Sequence, residues 1–132
     1  MIGLDTNVLV RYVTQDDPKQ AAAATRLLER GLSVEHPGFI CHITLCELAW
    51  VLADCYDAGK ERIVAVIDGL LASKQLMVEE PERVWRALRA WEESSADFSD
   101  ALVGEILVGD GCETVVTFDK AAARLPRFEL LR

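Results

Sequence analysis

The stretch that decides the fold is the first ten residues, MIGLDTNVLV, from Met1 to Val10. It begins with an apolar run over residues 1–4 and reaches an acid at Asp5. A short apolar run of this kind is typical of a buried strand in a parallel sheet. Helix signals follow at once, so we expect Asp5 at the carboxyl end of the strand, where the ligands of such sheets collect.

The rest of the chain repeats this alternation of short apolar strands and helices. Further strands are predicted over residues 39–43, 76–78, 114–118 and 127–130. Helices are predicted from Pro18 to a stop at Gly31, over residues 45–56 after an opening Thr44, over residues 62–71, from Pro81, and from Asp97 to residue 107. The pattern predicts an α/β fold, a three-layer α/β/α sandwich with a short, mainly parallel central sheet.

Composition and charge limit the class of protein. The 132 residues are 51% hydrophobic and 27% charged, as in a folded domain, and we expect one domain over residues 1–132. The net charge of −8 opposes a sequence-blind nucleic-acid binder, which needs basic residues to neutralise phosphates. The four cysteines form no C-x-x-C pair, and no basic leader or run of about 18 apolar residues occurs. We therefore expect a cytoplasmic protein with no membrane segment.

Four acids lie where a site is expected. Asp5 and Asp119 each follow a predicted strand, and Glu47 and Asp100 each lie about one turn into a helix. Carboxylates with no nearby base suit a hard divalent cation, Mg²⁺ or Mn²⁺, better than zinc. Such a site is suited to phosphodiester hydrolysis. Asp5 is the hardest of the four to explain structurally, since an acid that closes a buried strand is costly unless it is paired or metal-bound.

The other three acids each have a structural alternative. The spacing Thr44-x-x-Glu47 fits a capping box, in which the two side chains satisfy the first amides of a helix. Asp97 is a good N-cap, and Asp100 at the third helical position would favour the helix dipole without any metal. Asp119 could cap a short helix over residues 120–124.

Five segments, in this order, resemble successive signatures of the PIN domain and, within it, of the small VapC-type toxins of prokaryotic toxin–antitoxin pairs. They are MIGLDTNVLVR at 1–11, DDP at 16–18, ELAWVL at 47–52, DFSDAL at 97–102 and TFDK at 117–120. No single segment is decisive, but the match runs from one end of the chain to the other.

The resemblance implies a site of four acids with catalytic roles: Asp5, Glu47, Asp100 and Asp119. Within that set, Asp5 and Asp100 are the implied direct ligands of Mg²⁺, for which Mn²⁺ can substitute. Thr6 and Asn7 are implied as supporting polar residues. The catalytic role falls on Asp100, which precedes the Ala-Leu of the family pattern, and Asp97 remains the N-cap.

The resemblance also implies an activity and partners. Similar proteins are metal-dependent endoribonucleases that leave 5′-phosphate and 3′-hydroxyl ends, often on structured RNA such as tRNA or rRNA. They are toxins of type II pairs, held inactive by a cognate antitoxin, and an acidic toxin suits such a partner. A homodimer is also implied; the apolar helices over residues 45–71 offer surface for it, although they are equally suited to the core.

Four arginines are candidates for RNA contacts. Arg11 lies near the Asp5 strand end, and a stripe on one predicted helix consists of Arg83, Arg86 and Arg89. Ordinary amphipathicity explains such a stripe better than RNA binding does, because charge commonly lines a helix opposite its apolar face. Trp85 and Trp91 on that helix are expected in the core.

Two other functions remain open. One is a phosphotransfer protein with a strand-end aspartate nucleophile, similar to haloacid dehalogenases or to receiver domains. A phosphatase of the first kind needs a second Asp two residues after the nucleophile, where this chain has Asn7. The other is a catalytically silent PIN-like binding module, which the presence of all four acids disfavours. Neither His36 nor His42 lies in a motif for Ser/His/Asp or Cys/His catalysis.

Overall fold

Short parallel strands and helices alternate along the chain, as the sequence predicts. The computed structural model describes all residues, 1–132, in two units, Met1–Glu79 and Glu80–Arg132. None of the helices combines the length and the apolar character that crossing a bilayer requires. The expected α/β fold is confirmed, and its strands are distributed over two small parallel sheets.

The first unit contains a three-stranded sheet and four helices. Its elements in chain order are β1 (Ile2–Gly3), α1 (Thr6–Thr14), α2 (Pro18–Arg26), β2 (Gly38–Ile40), α3 (His42–Tyr56), α4 (Lys60–Ala72) and β3 (Leu76–Val78). The strand order is β1-β2-β3, with Ile2 opposite Gly38 and Gly38 opposite Leu76. The side chains that are completely buried include Leu9, Ile40, Leu45, Leu48 and Ile67.

The second unit contains two long helices and a two-stranded sheet. Its elements are α5 (Pro81–Glu92), α6 (Phe98–Gly109), β4 (Val115–Thr117), a 3-10 turn (Ala122–Arg124) and β5 (Phe128–Leu130). The two strands are parallel, with Val115 opposite Phe128. Trp91 of α5 packs edge-on against Phe98 of α6, with ring centroids 5.7 Å apart. The predicted burial of Trp91 is confirmed.

Local signals place the start of α2 correctly. Asp17 is its N-cap and accepts a hydrogen bond from the amide of Gln20 at 3.0 Å, with Pro18 in the first turn. The helix continues into a π turn (Leu27–Gly31), so the predicted stop at Gly31 is confirmed. Local capping signals in the sequence therefore place the start of α2.

The start of α3 differs from the prediction. Residue 43 was expected in a strand and Thr44 at the head of the helix, but the helix begins at His42 with Cys41 as its N-cap. The carboxylate of Glu79, 37 positions along the chain, accepts the His42 amide at 2.8 Å. A capping partner so distant in sequence satisfies a first-turn amide that the Cys41 side chain does not.

Two expectations about burial are wrong. Both residues of β1 are exposed, and so is Asp5, so the cost of a buried acid does not apply to it. Trp85 was expected in the core, but it is 53% exposed and the guanidinium of Arg89 lies over its ring, 5.4 Å from the centroid. This cation–π contact offsets part of the free-energy cost of exposing the Trp85 ring to solvent.

Candidate functional site

Asp5 lies in the short connection between β1 and α1 and is the N-cap of α1. Its Oδ1 accepts a hydrogen bond from the Thr6 amide at 2.8 Å. Its side chain is exposed, and Oδ2 has no hydrogen bond. The strand and the cap therefore fix the position of Asp5 and leave one carboxylate oxygen for a ligand.

Glu47 of α3 is joined to this segment through Thr6. The hydroxyl of Thr6 donates to Oε1 of Glu47 at 2.7 Å, across 41 positions of sequence. Thr6 is buried, whereas Glu47 is exposed, so a shielded hydroxyl orients an accessible acid. The alternative of a capping box with Thr44 is wrong, because α3 begins at His42 and Thr44 is the third residue of the helix. Glu47 has no capping role.

Asp100 of α6 has a structural role in addition to its candidate site role. Asp97 and Asp100 form a capping box, in which Oδ2 of Asp100 accepts the Asp97 amide at 3.2 Å. The predicted N-cap at Asp97 is confirmed. Partial burial and the negative charges of Asp97 and Asp119 together raise the pKa of Asp100 above the usual range of an aspartate. A cation beside Asp100 would relieve that repulsion.

Asp119 follows β4 and caps the short 3-10 turn, as one alternative predicted. Its Oδ1 accepts the amides of Ala121 at 2.8 Å and Ala122 at 3.1 Å. Its own amide donates to the Thr117 hydroxyl at 3.0 Å. These bonds hold the exposed carboxylate in one orientation and leave Oδ2 without a hydrogen bond.

A common pattern unites the four predicted acids: in each, one oxygen accepts a hydrogen bond from the protein and the other oxygen has none. Oriented carboxylate oxygens are the ligands that Mg²⁺ and Mn²⁺ prefer, so the donor set fits such a cation. No group of three or more Asp, Glu, His or Cys side chains has the arrangement of a formed metal site. The fit therefore rests on the chemistry and orientation of the donors.

A cavity of about 480 Å³ in the first unit holds two of these acids and reveals residues that the sequence reasoning missed. Asp5 and Glu47 line it together with Trp50 and Tyr56 of α3. Trp50 follows Glu47 by three positions, so the two side chains share one face of the helix. That spacing in the sequence could have indicated Trp50 as a residue of the site. No neighbouring sequence feature indicated Tyr56.

Arg11 and Asn7 line the same cavity. The guanidinium of Arg11 is held by Nη1, which donates to Asp16 at 3.0 Å and to the Tyr56 hydroxyl at 3.2 Å, and by Nε, which donates to Gln20 at 2.7 Å. This leaves Nη2 for a ligand. Helix α1 therefore presents an oriented cation, Arg11, at the wall of a cavity that contains two acids.

The three arginines of α5 each have an acidic partner. Arg83 pairs with Asp110 at 2.8 Å, Arg86 with Glu82 at 3.7 Å and Arg89 with Glu92 at 2.6 Å. The Arg86 and Arg89 pairs lie within α5, as is expected of ordinary amphipathicity, whereas Arg83 pairs with the C-cap residue of α6. Contact of this stripe with RNA stays a prediction.

The fold and the placement of the acids define an α/β protein with oriented, solvent-accessible carboxylates after its strands and within the first two turns of its helices. The PIN domain family matches residues 2–128. The chain belongs to the PIN domain family, whose members are generally metal-dependent nucleases that use divalent cations such as Mg²⁺. A comparison with curated proteins finds no match to the chain.

Proposed function

We propose that this protein is an Mg²⁺- or Mn²⁺-dependent endoribonuclease whose cation is bound by Asp5 and Asp100 and whose full catalytic set includes Glu47 and Asp119. The observation that carries the proposal is the shared pattern of the four acids, each with one oxygen oriented by the protein and one available. Membership of the PIN family over residues 2–128, as one continuous match, supports this function and a single domain over residues 1–132.

The roles of the residues follow from their contacts. Asp5 and Asp100 would hold the cation through the carboxylate oxygens that accept no hydrogen bond in the caps. Glu47, oriented by Thr6, accepts a proton from the attacking water. Asp119 adds negative charge near Asp100, which strengthens cation binding. When bound, the cation supplies Lewis-acid stabilisation of the phosphoryl oxygen and lowers the pKa of the attacking water.

The reaction that these residues support is hydrolysis at phosphorus. Water attacks the phosphorus atom, the bond between phosphorus and the 3′ oxygen breaks, and the 3′ oxygen leaves with a proton. The products are a 5′-phosphate and a 3′-hydroxyl end, and no covalent enzyme intermediate forms.

The biological role that we propose is the toxin of a type II toxin–antitoxin pair, acting on RNA such as tRNA or rRNA in the cytoplasm. The net charge of −8 supports binding to an antitoxin with a basic surface. A homodimer belongs to the same proposal and is supported by the apolar composition of α3 and α4.

Cleavage of a mixed tRNA and rRNA substrate, with end mapping, tests the activity. We expect cleavage with Mg²⁺ or Mn²⁺, none with excess EDTA, and 5′-phosphate ends. Asp5→Asn, in which the amide oxygen can still cap α1, is expected to be inactive although folded. A phosphorylated Asp5 recovered after incubation with phosphate donors would contradict the proposal in favour of a phosphotransfer protein. Metal-independent cleavage would contradict the proposed mechanism.

Induced expression in a bacterium tests the toxin role separately. We expect the wild type to arrest growth and Asp5→Asn to leave it unchanged at equal protein level. A wild type that cleaves RNA in vitro but leaves growth unaffected would contradict the toxin role and retain the nuclease.

A further inference from the structure

Two chemically different kinds of side chain line the cavity that holds Asp5 and Glu47. They are the carboxylates of these two acids and the aromatic rings of Trp50 and Tyr56. Its volume of about 480 Å³ accommodates one nucleotide-sized group and is open to solvent. The nuclease function proposed above assigns a role to the carboxylates but not to the two rings.

Trp50 is exposed to an extent that its packing does not explain. Its side chain is 62% exposed, whereas the buried face of α3 is formed by residues such as Leu45, Leu48 and Leu52. Large rings at the surface beside polar clefts are typical of contacts with ligands, because one face is left for stacking. Trp50 lies about 4.5 Å beyond Glu47 along the helix axis, which is within the reach of one nucleotide.

A hydrogen-bond network holds two other residues that line the cavity, Tyr56 and Arg11. The Tyr56 hydroxyl donates to Oδ2 of Asp16 at 2.5 Å and accepts from Arg11. Asp16 also accepts from the Thr14 hydroxyl at 2.9 Å. Tyr56 and Arg11 are therefore held before any ligand arrives, which reduces the entropy lost on binding.

We propose that the part of this cavity lined by Trp50 is a nucleobase subsite, in which an unstacked base of single-stranded RNA lies on the Trp50 ring while Nη2 of Arg11 contacts the adjoining phosphate. The inference rests on the proposed nuclease function, since it assigns the part of the substrate next to the cleaved bond. An uncharged base suits the position on Trp50, one turn from Glu47, whereas the anionic phosphate is placed at the positive charge of Arg11. Bases of single-stranded RNA commonly stack on exposed aromatic side chains in this way.

Binding of a fluorescently labelled single-stranded RNA, measured by anisotropy in EDTA, tests the subsite without cleavage. We expect Trp50→Ala to raise the Kd about tenfold to hundredfold, the range for loss of one base–aromatic stack. Trp50→Phe should recover part of that loss, because it keeps a stacking ring. Trp85→Ala is the matched control: Trp85 is 53% exposed on α5, and its removal should leave the Kd unchanged.

An RNA with one abasic position separates stacking from structural damage. The abasic position is moved along the strand in a series of RNAs. At the position whose base stacks on Trp50, its loss should weaken binding to the wild type but not to Trp50→Ala, since that variant already lacks the partner of the base. Equal Kd values for the wild type and Trp50→Ala would overturn the subsite and leave the nuclease proposal intact. Loss of self-association in Trp50→Ala with unchanged RNA binding would overturn the subsite in favour of a protein contact. A wild type that neither binds nor cleaves RNA would overturn both proposals.

Discussion

The sequences near the starts of α3 and α6 both contain the spacing of a capping box, and the two helices use it differently. In α6, Asp97 caps the helix and Asp100 accepts the Asp97 amide at 3.2 Å. In α3, the helix has already begun when Thr44 is reached, and Glu47 accepts from Thr6 of α1 instead. The same local pattern therefore produces a cap in one helix and an acid without a capping duty in the other.

The difference shows which part of the pattern is decisive. A capping box forms only if its first residue is the N-cap of the helix. In α3 the Glu79 carboxylate accepts the His42 amide, and the helix begins two residues before Thr44. Removing the charge of Glu47 should consequently leave α3 intact. Asp100 combines a cap with a candidate ligand role, so its substitutions must preserve the cap to report on function.

The largest effect should follow removal of the charge of Asp100. Asp100→Asn keeps an oxygen for the Asp97 amide but loses the anionic ligand, so we expect cleavage to fall by at least about 100-fold, beyond the usual cost of losing a supporting residue. The measurement is the rate of RNA cleavage at saturating Mg²⁺, with folding checked by thermal melting.

Asp97→Asn is the matched control for that variant. Asn is as good an N-cap as Asp, so both the melting temperature and the cleavage rate should stay near those of the wild type. Loss of cleavage in folded Asp97→Asn, with Asp100→Asn still active, would show that the two roles are assigned the wrong way round.

The second effect concerns the charge of Glu47. Glu47→Gln retains an acceptor for Thr6 and should change the free energy of unfolding by less than about 0.5 kcal/mol, as for a surface substitution. Cleavage should nevertheless fall by at least about tenfold, because the acceptor of the water proton is lost. Asp54→Asn, an exposed acid on the same helix, should retain full activity. Equal rates in Glu47→Gln and the wild type would remove Glu47 from the catalytic set.

A smaller effect is expected when the orientation of Glu47 is disturbed. Thr6→Val removes the hydroxyl that donates to Glu47 at 2.7 Å, which should cost about 1 kcal/mol of stability and lower cleavage by about tenfold. Thr6→Ser keeps the hydroxyl and should recover most of the activity. If Thr6→Ser and Thr6→Val reduce cleavage equally, the activity depends on the packing of Thr6 and not on its hydrogen bond to Glu47.

The smallest effect is chemical and tests the start of α3 directly. Bonds from Thr44 to the thiol lower the pKa of Cys41, whereas burial raises the pKa of Cys46 to about 11. The thiolate is the reactive form, so at pH 8 iodoacetamide should modify Cys41 faster than Cys46. The difference should narrow as the pH approaches 11, since Cys46 then ionises too. Peptide mass mapping gives the rates, and equal rates at pH 8 would contradict this placement of α3.

Much of the fold was predictable because its signals are local. Pro18 and Pro81 mark helix starts, Asp97 is an N-cap, and the apolar run at Leu76–Val78 is a strand in the structure. The start of α3 was not predictable, because the carboxylate that takes its first amide is Glu79, which no short window around His42 contains. The exposure of Trp85 likewise depends on the tertiary structure, as helical spacing alone assigned it to the core.

The site divides in the same way. The four acids were predictable because strand ends and helix starts are local features of the sequence. The choice between a capping role and a ligand role for Glu47 was not, because it depends on the contact with Thr6 of another helix. Asp5 was expected to follow a buried strand, but β1 is exposed, so the candidate role of Asp5 is supported by its orientation and by the family. Tyr56 and Asp16 are 40 positions apart, and only the fold reveals their contact.

Thermal melting with and without Mn²⁺ tests the proposed metal site without a substrate, because a cation that binds only the folded protein stabilises it by about 2.7 kcal/mol at 100 times its Kd. We expect a higher melting temperature for the wild type with Mn²⁺, and no such rise in Asp5→Asn or in Asp100→Asn. A wild type that gains no stability from Mn²⁺, or variants that gain as much as the wild type, would contradict the proposed metal site.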